Sequence, residues 1–93
     1  MEPLKDVIVL APKEVELICK ITPGAPRAET HWYKDNKEVY ASKKHQLSYT
    51  DDKVSLRISE SDLHDTGSYR IEAINKLGQV ETRCNVTIQG KMF

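Results

Sequence analysis

Asp65-Thr66-Gly67-Ser68-Tyr69-Arg70-Ile71 is the stretch on which the reading of this chain turns. A short acidic residue and a glycine, both suited to a tight corner, lead into a tyrosine that starts an alternating apolar run, Tyr69, Ile71 and Ala73. Upstream lie Cys19 and, thirteen positions later, the single tryptophan, Trp32. The same period of two runs through most of the chain. Val7 and Val9 form a short first strand stopped by Pro12, and Val15, Leu17, Cys19 and Ile21 alternate with Glu16, Ile18 and Lys20. Trp32 centres a third strand, and Lys37-Glu38-Val39-Tyr40 follows the turn Lys34-Asp35-Asn36. Leu47-Ser48-Tyr49 and the alternation Val54, Leu56, Ile58 are joined by the turn Asp51-Asp52. Cys84, Val86 and Ile88 end the series, after a hairpin Asn75-Lys76-Leu77-Gly78 whose glycine is free to take a positive φ. Short, evenly spaced strands with turn signals predict an all-β sandwich or barrel with no helix of useful length.

Composition narrows the function classes. A chain of 93 residues is one domain, large enough to bury roughly 60–68% of its unfolded surface without staples. Fourteen basic and fourteen acidic side chains cancel, so nothing steers the molecule toward nucleic acid or an anionic membrane. The longest apolar stretch, Val7-Ile8-Val9-Leu10-Ala11, is far short of the ~20 residues that span a bilayer. Met1-Glu2-Pro3-Leu4-Lys5 has no basic head leading into a signal core, and no targeting segment is expected. The sequon Asn85-Val86-Thr87 has its middle in a strand and is expected to carry no glycan.

Cys19, Trp32 and the Asp65-x-Gly67-x-Tyr69 corner together resemble the signature of an immunoglobulin sandwich. More narrowly, Gly24-Ala25-Pro26-Arg27-Ala28-Glu29-Thr30-His31-Trp32 and the Asn75…Gly78 turn are similar to the intermediate set (I-set). Its members recur in giant sarcomeric and cytoskeletal proteins of the titin, twitchin, obscurin and myosin-binding protein C type. The similarity covers about residues 4 to 88, and the domain is placed at 4–89, with 1–3 and 90–93 flanking it. Ala28 stands for the family's second proline, Thr30 for an aliphatic, and Ile71 for the second cysteine; one extra residue separates Cys19 from Gly24. The resemblance implies a two-sheet antiparallel sandwich without the inter-sheet disulfide, hence a reducing compartment. It also implies a core on Cys19, Trp32, Leu56, Leu63, Tyr69, Ile71 and Val86, with Asp65 and Gly67 shaping the corner and the Tyr69 hydroxyl bonding an upstream carbonyl. Cys19 is expected to face Ile71, leaving Cys19 and Cys84 as two free thiols.

Chemistry is sparse. His31, His45 and His64 sit in separate segments at no metal spacing and read as solvated surface residues. Cys19 and Cys84 fall on inward strand positions, where a thiol acts as a small hydrophobe. Asp51-Asp52 and Glu60-Ser61-Asp62 lack a calcium-loop pattern and read as solvated turns. No catalytic residue, metal or cofactor is expected. The family resemblance implies a non-catalytic structural and interaction module of a giant intracellular muscle protein, a spacer under tension and a docking surface. Its partners would be neighbouring immunoglobulin or fibronectin-type domains in the same chain and other sarcomeric proteins, with no nucleic acid and no membrane. The alternatives are a domain flanking and regulating a kinase, or an extracellular adhesion domain. Alternation places His31 and Tyr33 opposite Trp32, and Arg70, Glu72 and Ile74 opposite Tyr69 and Ile71. An outward Tyr, Arg and Ile make this the candidate protein-binding face.

Overall fold

Alternating apolar and polar side chains produce eight strands in the computed structural model, which describes residues 3–21 and 27–90. They are β1 (Val7–Leu10), β2 (Val15–Lys20), β3 (Glu29–Lys34), β4 (Lys37–Val39), β5 (His45–Thr50), β6 (Lys53–Ile58), β7 (Gly67–Asn75) and β8 (Gly78–Gln89). Gly24-Ala25-Pro26 of the family signature, and Glu2, lie outside the described residues. The strands form a five-stranded sheet in the order β1-β8-β7-β3-β4 and a three-stranded sheet in the order β2-β6-β5.

β2 runs antiparallel to β6, with Leu17 opposite Leu56 and Cys19 opposite Val54. On the facing sheet Trp32 is directly opposite Ile71. These side chains, with Val15, Ile58, Tyr69, Val86 and Ile88, fill one buried cluster. Cys19 and Cys84 are both buried and unbridged. Burial pushes the Cys84 thiol up to about 11, with Asp6 adding to the rise, and raises that of Cys19.

Two hairpins show why their residues are where they are. The β3–β4 loop holds Asp35 at φ 50° and Asn36 at φ 69°, the positive pair that a two-residue loop matching the twist of its strands requires. Between β7 and β8, the Asn75 side chain accepts the Leu77 amide at 2.8 Å. Gly78 there takes φ 141°, a conformation L side chains rarely adopt. β8 is longer than its apolar pattern indicated. It begins at Gly78 rather than near Cys84, because Gln79 to Thr82 pair with β7 along a largely exposed stretch that carries no inward apolar alternation.

The corner before β7 departs from expectation in three respects. Asp62 caps a 3₁₀ turn at Leu63–Asp65: its carboxylate accepts the His64 amide while the Asp65 carboxylate accepts the Asp62 amide. Ser61, 2% exposed, donates its hydroxyl to the Lys13 carbonyl. Within Glu60-Ser61-Asp62, then, Ser61 is packed rather than solvated, while Glu60 and Asp62 stay exposed as expected of a turn. Leu63 is not core but 61% exposed. A turn with three residues per revolution offers one inward position, and the cap gives it to Asp65. The Leu63 side chain lies outside, beside Gly90. Gly67 is needed for space rather than for backbone freedom. A Cβ there would lie 2.7 Å from the Asp35 carboxylate, which is engaged with the Ser68 amide at 3.0 Å. The Tyr69 hydroxyl donates to the Asp65 carbonyl at 2.7 Å in a buried bond, and Lys44 lies 2.9 Å from the Asp65 carboxylate.

β1 pairs with β8 in parallel, Val7 opposite Val86 and Leu10 opposite Gln89. The preceding segment is tied to the same strand, with the Leu4 amide donating to Thr82 Oγ1 and the Asn85 amide donating to Asp6 Oδ1. The molecule measures 51 × 22 × 21 Å along its principal axes.

Candidate protein-interaction face

Because strand side chains alternate, burying Trp32, Tyr69, Ile71 and Cys84 turns His31, Tyr33, Arg70 and Glu72 outward on the five-stranded sheet. The register sets His31 opposite Glu72 and Tyr33 opposite Arg70, while Ile74 stands opposite Glu29 at the end of the ladder. Four of the five candidate residues thus share the middle of one face, and Ile74 marks its rim.

Arg70 organises this face. Its guanidinium carbon stands 4.2 Å from the centre of the Tyr33 ring, close enough for a cation–π contact. Its Nη1 reaches Glu81 at 3.0 Å and Glu72 at 3.4 Å. Arg83 also reaches Glu81, at 3.3 Å. The carboxyl of Glu81 is held below the usual carboxylate range, first by the bond from Arg70 and then by that from Arg83.

His31 is not the freely solvated histidine expected. Its Nδ1 is 3.0 Å from Glu38 and its Nε2 3.1 Å from Glu29. Only the imidazolium donates from both nitrogens. Its pKa is accordingly raised, chiefly by the Glu38 bond, with Glu29 adding and partial burial opposing. His45 is partly buried, and desolvation lowers its pKa; His64 remains exposed, its ring 3.6 Å from Asp62.

Sequence reasoning missed Glu29, Glu38, Glu81 and Arg83 as members of the face. The signal was present in the outward positions of the flanking strands. Glu81 and Arg83 escaped because β8 was begun too late, and Glu38 because β4 is only three residues long. Among the described residues no cluster of His, Cys, Asp and Glu is arranged to hold a metal ion. The face presents paired charge, a stacked aromatic and a rim isoleucine.

The model of the Immunoglobulin I-set domain family matches residues 1–88. A similar segment of the Caenorhabditis elegans muscle M-line assembly protein unc-89 is 34% identical over 88 residues, covering 94% of this chain but 1% of that protein. Drosophila melanogaster titin holds a segment 34% identical over 89 residues, covering 96% of the chain and a share of titin that rounds to 0%. The chain thus spans a very small part of these relatives' length. The solved structure of the titin domains Z1Z2 in complex with telethonin superposes with a TM-score of 0.91 at 28% identity, over 98% of this chain and 46% of that one. The two sheets, the corner held by Tyr69 and the match along nearly the whole length lead to one conclusion: the chain belongs to the immunoglobulin I-set family.

Proposed function

We propose that this module is a non-catalytic spacer and docking unit of a giant intracellular muscle protein, located in the sarcomere and cytoskeleton. The observation that carries the reading is the parallel register of β1 on β8. The chain comes in at Leu4, level with Thr82, and leaves past Gln89, level with Leu10. The seven steps from Thr82 to Gln89 separate these points by ~23 Å at about 3.3 Å per residue. Tension applied through the two ends slides β1 against β8 and loads their hydrogen bonds together. Likeness to segments of unc-89 and titin supports the setting, and two buried thiols without a disulfide suit a reducing compartment.

Docking is assigned to His31, Tyr33, Arg70, Glu72 and Ile74, with neighbouring immunoglobulin or fibronectin-type domains and other sarcomeric proteins as partners. The telethonin complex of a similar titin pair supports a partner-binding role for such sandwiches. Single-molecule stretching of a tandem array of this domain tests the spacer. Val9→Pro, placed in the sheared ladder, should lower the unfolding force far more than Leu47→Ala in β5, even where the two lower equilibrium stability alike. Equal forces would overturn the reading, as would small-angle scattering that puts both termini on one side.

A further inference from the structure

The three-stranded sheet ends on β2, and no described strand pairs with its outer side. This edge differs from the other three. β1 has four residues and β4 three. β5 has six, but its Tyr49 carbonyl is taken by the Arg27 guanidinium at 3.2 Å, which also lies 3.8 Å from the centre of the Tyr49 ring. β2 has six residues with neither proline nor glycine, and its outward Ile18 is 37% exposed. A groove of about 380 Å³ runs beside it, with Pro3, Lys5 and Val7 on one bank and Glu16, Ile18 and Lys20 on the other.

Natural edges are usually blunted by brevity, proline or charge. Here the charges stand in self-complementary order, Glu16 two positions before Ile18 and Lys20 two positions after it. The geometry points to β2 as the seam of a symmetric dimer, in which it pairs antiparallel with β2 of a second copy about Ile18. In that register the two Ile18 side chains meet, each Glu16 faces a Lys20, and Leu17 lies opposite Cys19 on the inner side. The result is one six-stranded sheet shared by both copies, an isologous contact of the kind a two-fold axis demands. A shift of two residues sets Glu16 against Ile18 and parts the apolar pair. Glu16 already meets Arg57 at 3.2 Å, and Arg57 keeps Glu14 at 3.3 Å, so Glu16 can turn toward a lysine without stranding the arginine. Zero net charge leaves no long-range repulsion between copies.

This inference goes beyond the spacer reading and is independent of it. Sedimentation velocity from dilute to near-millimolar protein should show the mass rising from 10.6 kDa toward twice that value. Glu16→Lys, which sets lysines face to face at two points, should raise the dissociation constant by roughly tenfold or more. Ile18→Lys should do the same. The swap Glu16→Lys with Lys20→Glu should restore the dimer. Trp32 fluorescence reports folding of each variant, and if Ile18→Lys fails to fold, Glu16→Lys and the swap carry the test. A wild-type protein that stays monomeric at the highest concentration overturns the dimer and leaves the spacer untouched. A dimer indifferent to Glu16→Lys places the contact elsewhere, and a swap that fails to restore it overturns the register.

Discussion

The corner at residues 61–69 and the outward face of the five-stranded sheet each hold one cation between two carboxylates. In the corner Lys44 lies 3.1 Å from Asp62 and 2.9 Å from Asp65; on the face Arg70 lies 3.4 Å from Glu72 and 3.0 Å from Glu81. The difference is what the carboxylates hold besides the cation. Asp62 and Asp65 each also accept a backbone amide, and the Asp65 side chain is 7% exposed, above a carbonyl that takes the Tyr69 hydroxyl. On the face, among the described residues, the Glu81 carboxylate meets side chains alone and is 42% exposed, whereas Arg70 and Glu72 are more covered, at 22% and 16%. Bonds to the main chain make an ion pair architectural. Bonds among side chains, as at the exposed Glu81, are screened by water and add little to stability.

The largest effect should come from Trp32, whose neighbours His31 and Tyr33 build the face while its own ring fills the core. Trp32→Ala should cost roughly 3–5 kcal/mol in urea unfolding, out of a total of about 5–15; a mild loss would show that the face does not rest on this ring. Asp65→Ala should follow at about 2–3 kcal/mol, since a buried charged acceptor of an amide and a lysine is removed. Glu81→Ala should leave the midpoint almost unmoved, and equal losses at these two positions would erase the contrast. Tyr69→Phe, which deletes one buried hydrogen bond, should cost about 1 kcal/mol. Tyr33→Ala and Ile74→Ala should change thermal midpoints little; a large loss would move them from the binding face into the core.

The smallest effect is a pH dependence. The pKa of His31 is raised above its ordinary 6.5 by Glu38 and Glu29, so its contribution to stability is fully present below pH 6.5 and fades as pH rises through the folded value. His31→Gln should therefore be less stable than wild type in mild acid and equal to it in mild alkali. The pKa of His45 is lowered by burial, which acts in the opposite sense: the folded state resists its protonation and loses stability as pH falls below 6.5. Measuring the His31→Gln difference, rather than the wild-type curve alone, separates the two. A difference that grew with pH would mean that the paired carboxylates do not hold the imidazolium.

Strand positions were legible because burial imposes a period of two, which put Trp32, Tyr69 and Ile71 on inward positions; that Trp32 pairs with Ile71 across the sheet was not legible. The corner was legible at Tyr69 and illegible at Leu63. A leucine one residue past an N-cap looks apolar in any sequence, and only the geometry of the 3₁₀ turn decides which of its residues faces inward. Gly67 was recognised for the wrong reason, since the approach of Asp35 depends on a contact across thirty-two positions that no local pattern carries. Within the face, alternation found the residues on β3 and β7 but not the carboxylates that hold His31 and Arg70, because partners on adjacent strands are set by register and not by spacing along one strand.

The pairing of β1 with β8 also governs when this molecule is finished during synthesis. The Asp6 carboxylate waits for the Asn85 amide, 79 residues downstream. At about 5–20 residues per second that interval is roughly 4 to 16 s, during which Val7–Leu10 has made its backbone groups and side chains available with no native strand to receive them. β3–β4 and β5–β6 have time to pair as hairpins first, then β2 with β6 and β3 with β7 over longer separations, and closing the longest loop comes last because its entropy is recovered only when both ends meet. In a protein made of such modules in series, the first strand of each is exposed on the ribosome beside the completed modules before it. The order of synthesis therefore sets each waiting strand beside completed sheet edges, among which β2 is the one left unblunted.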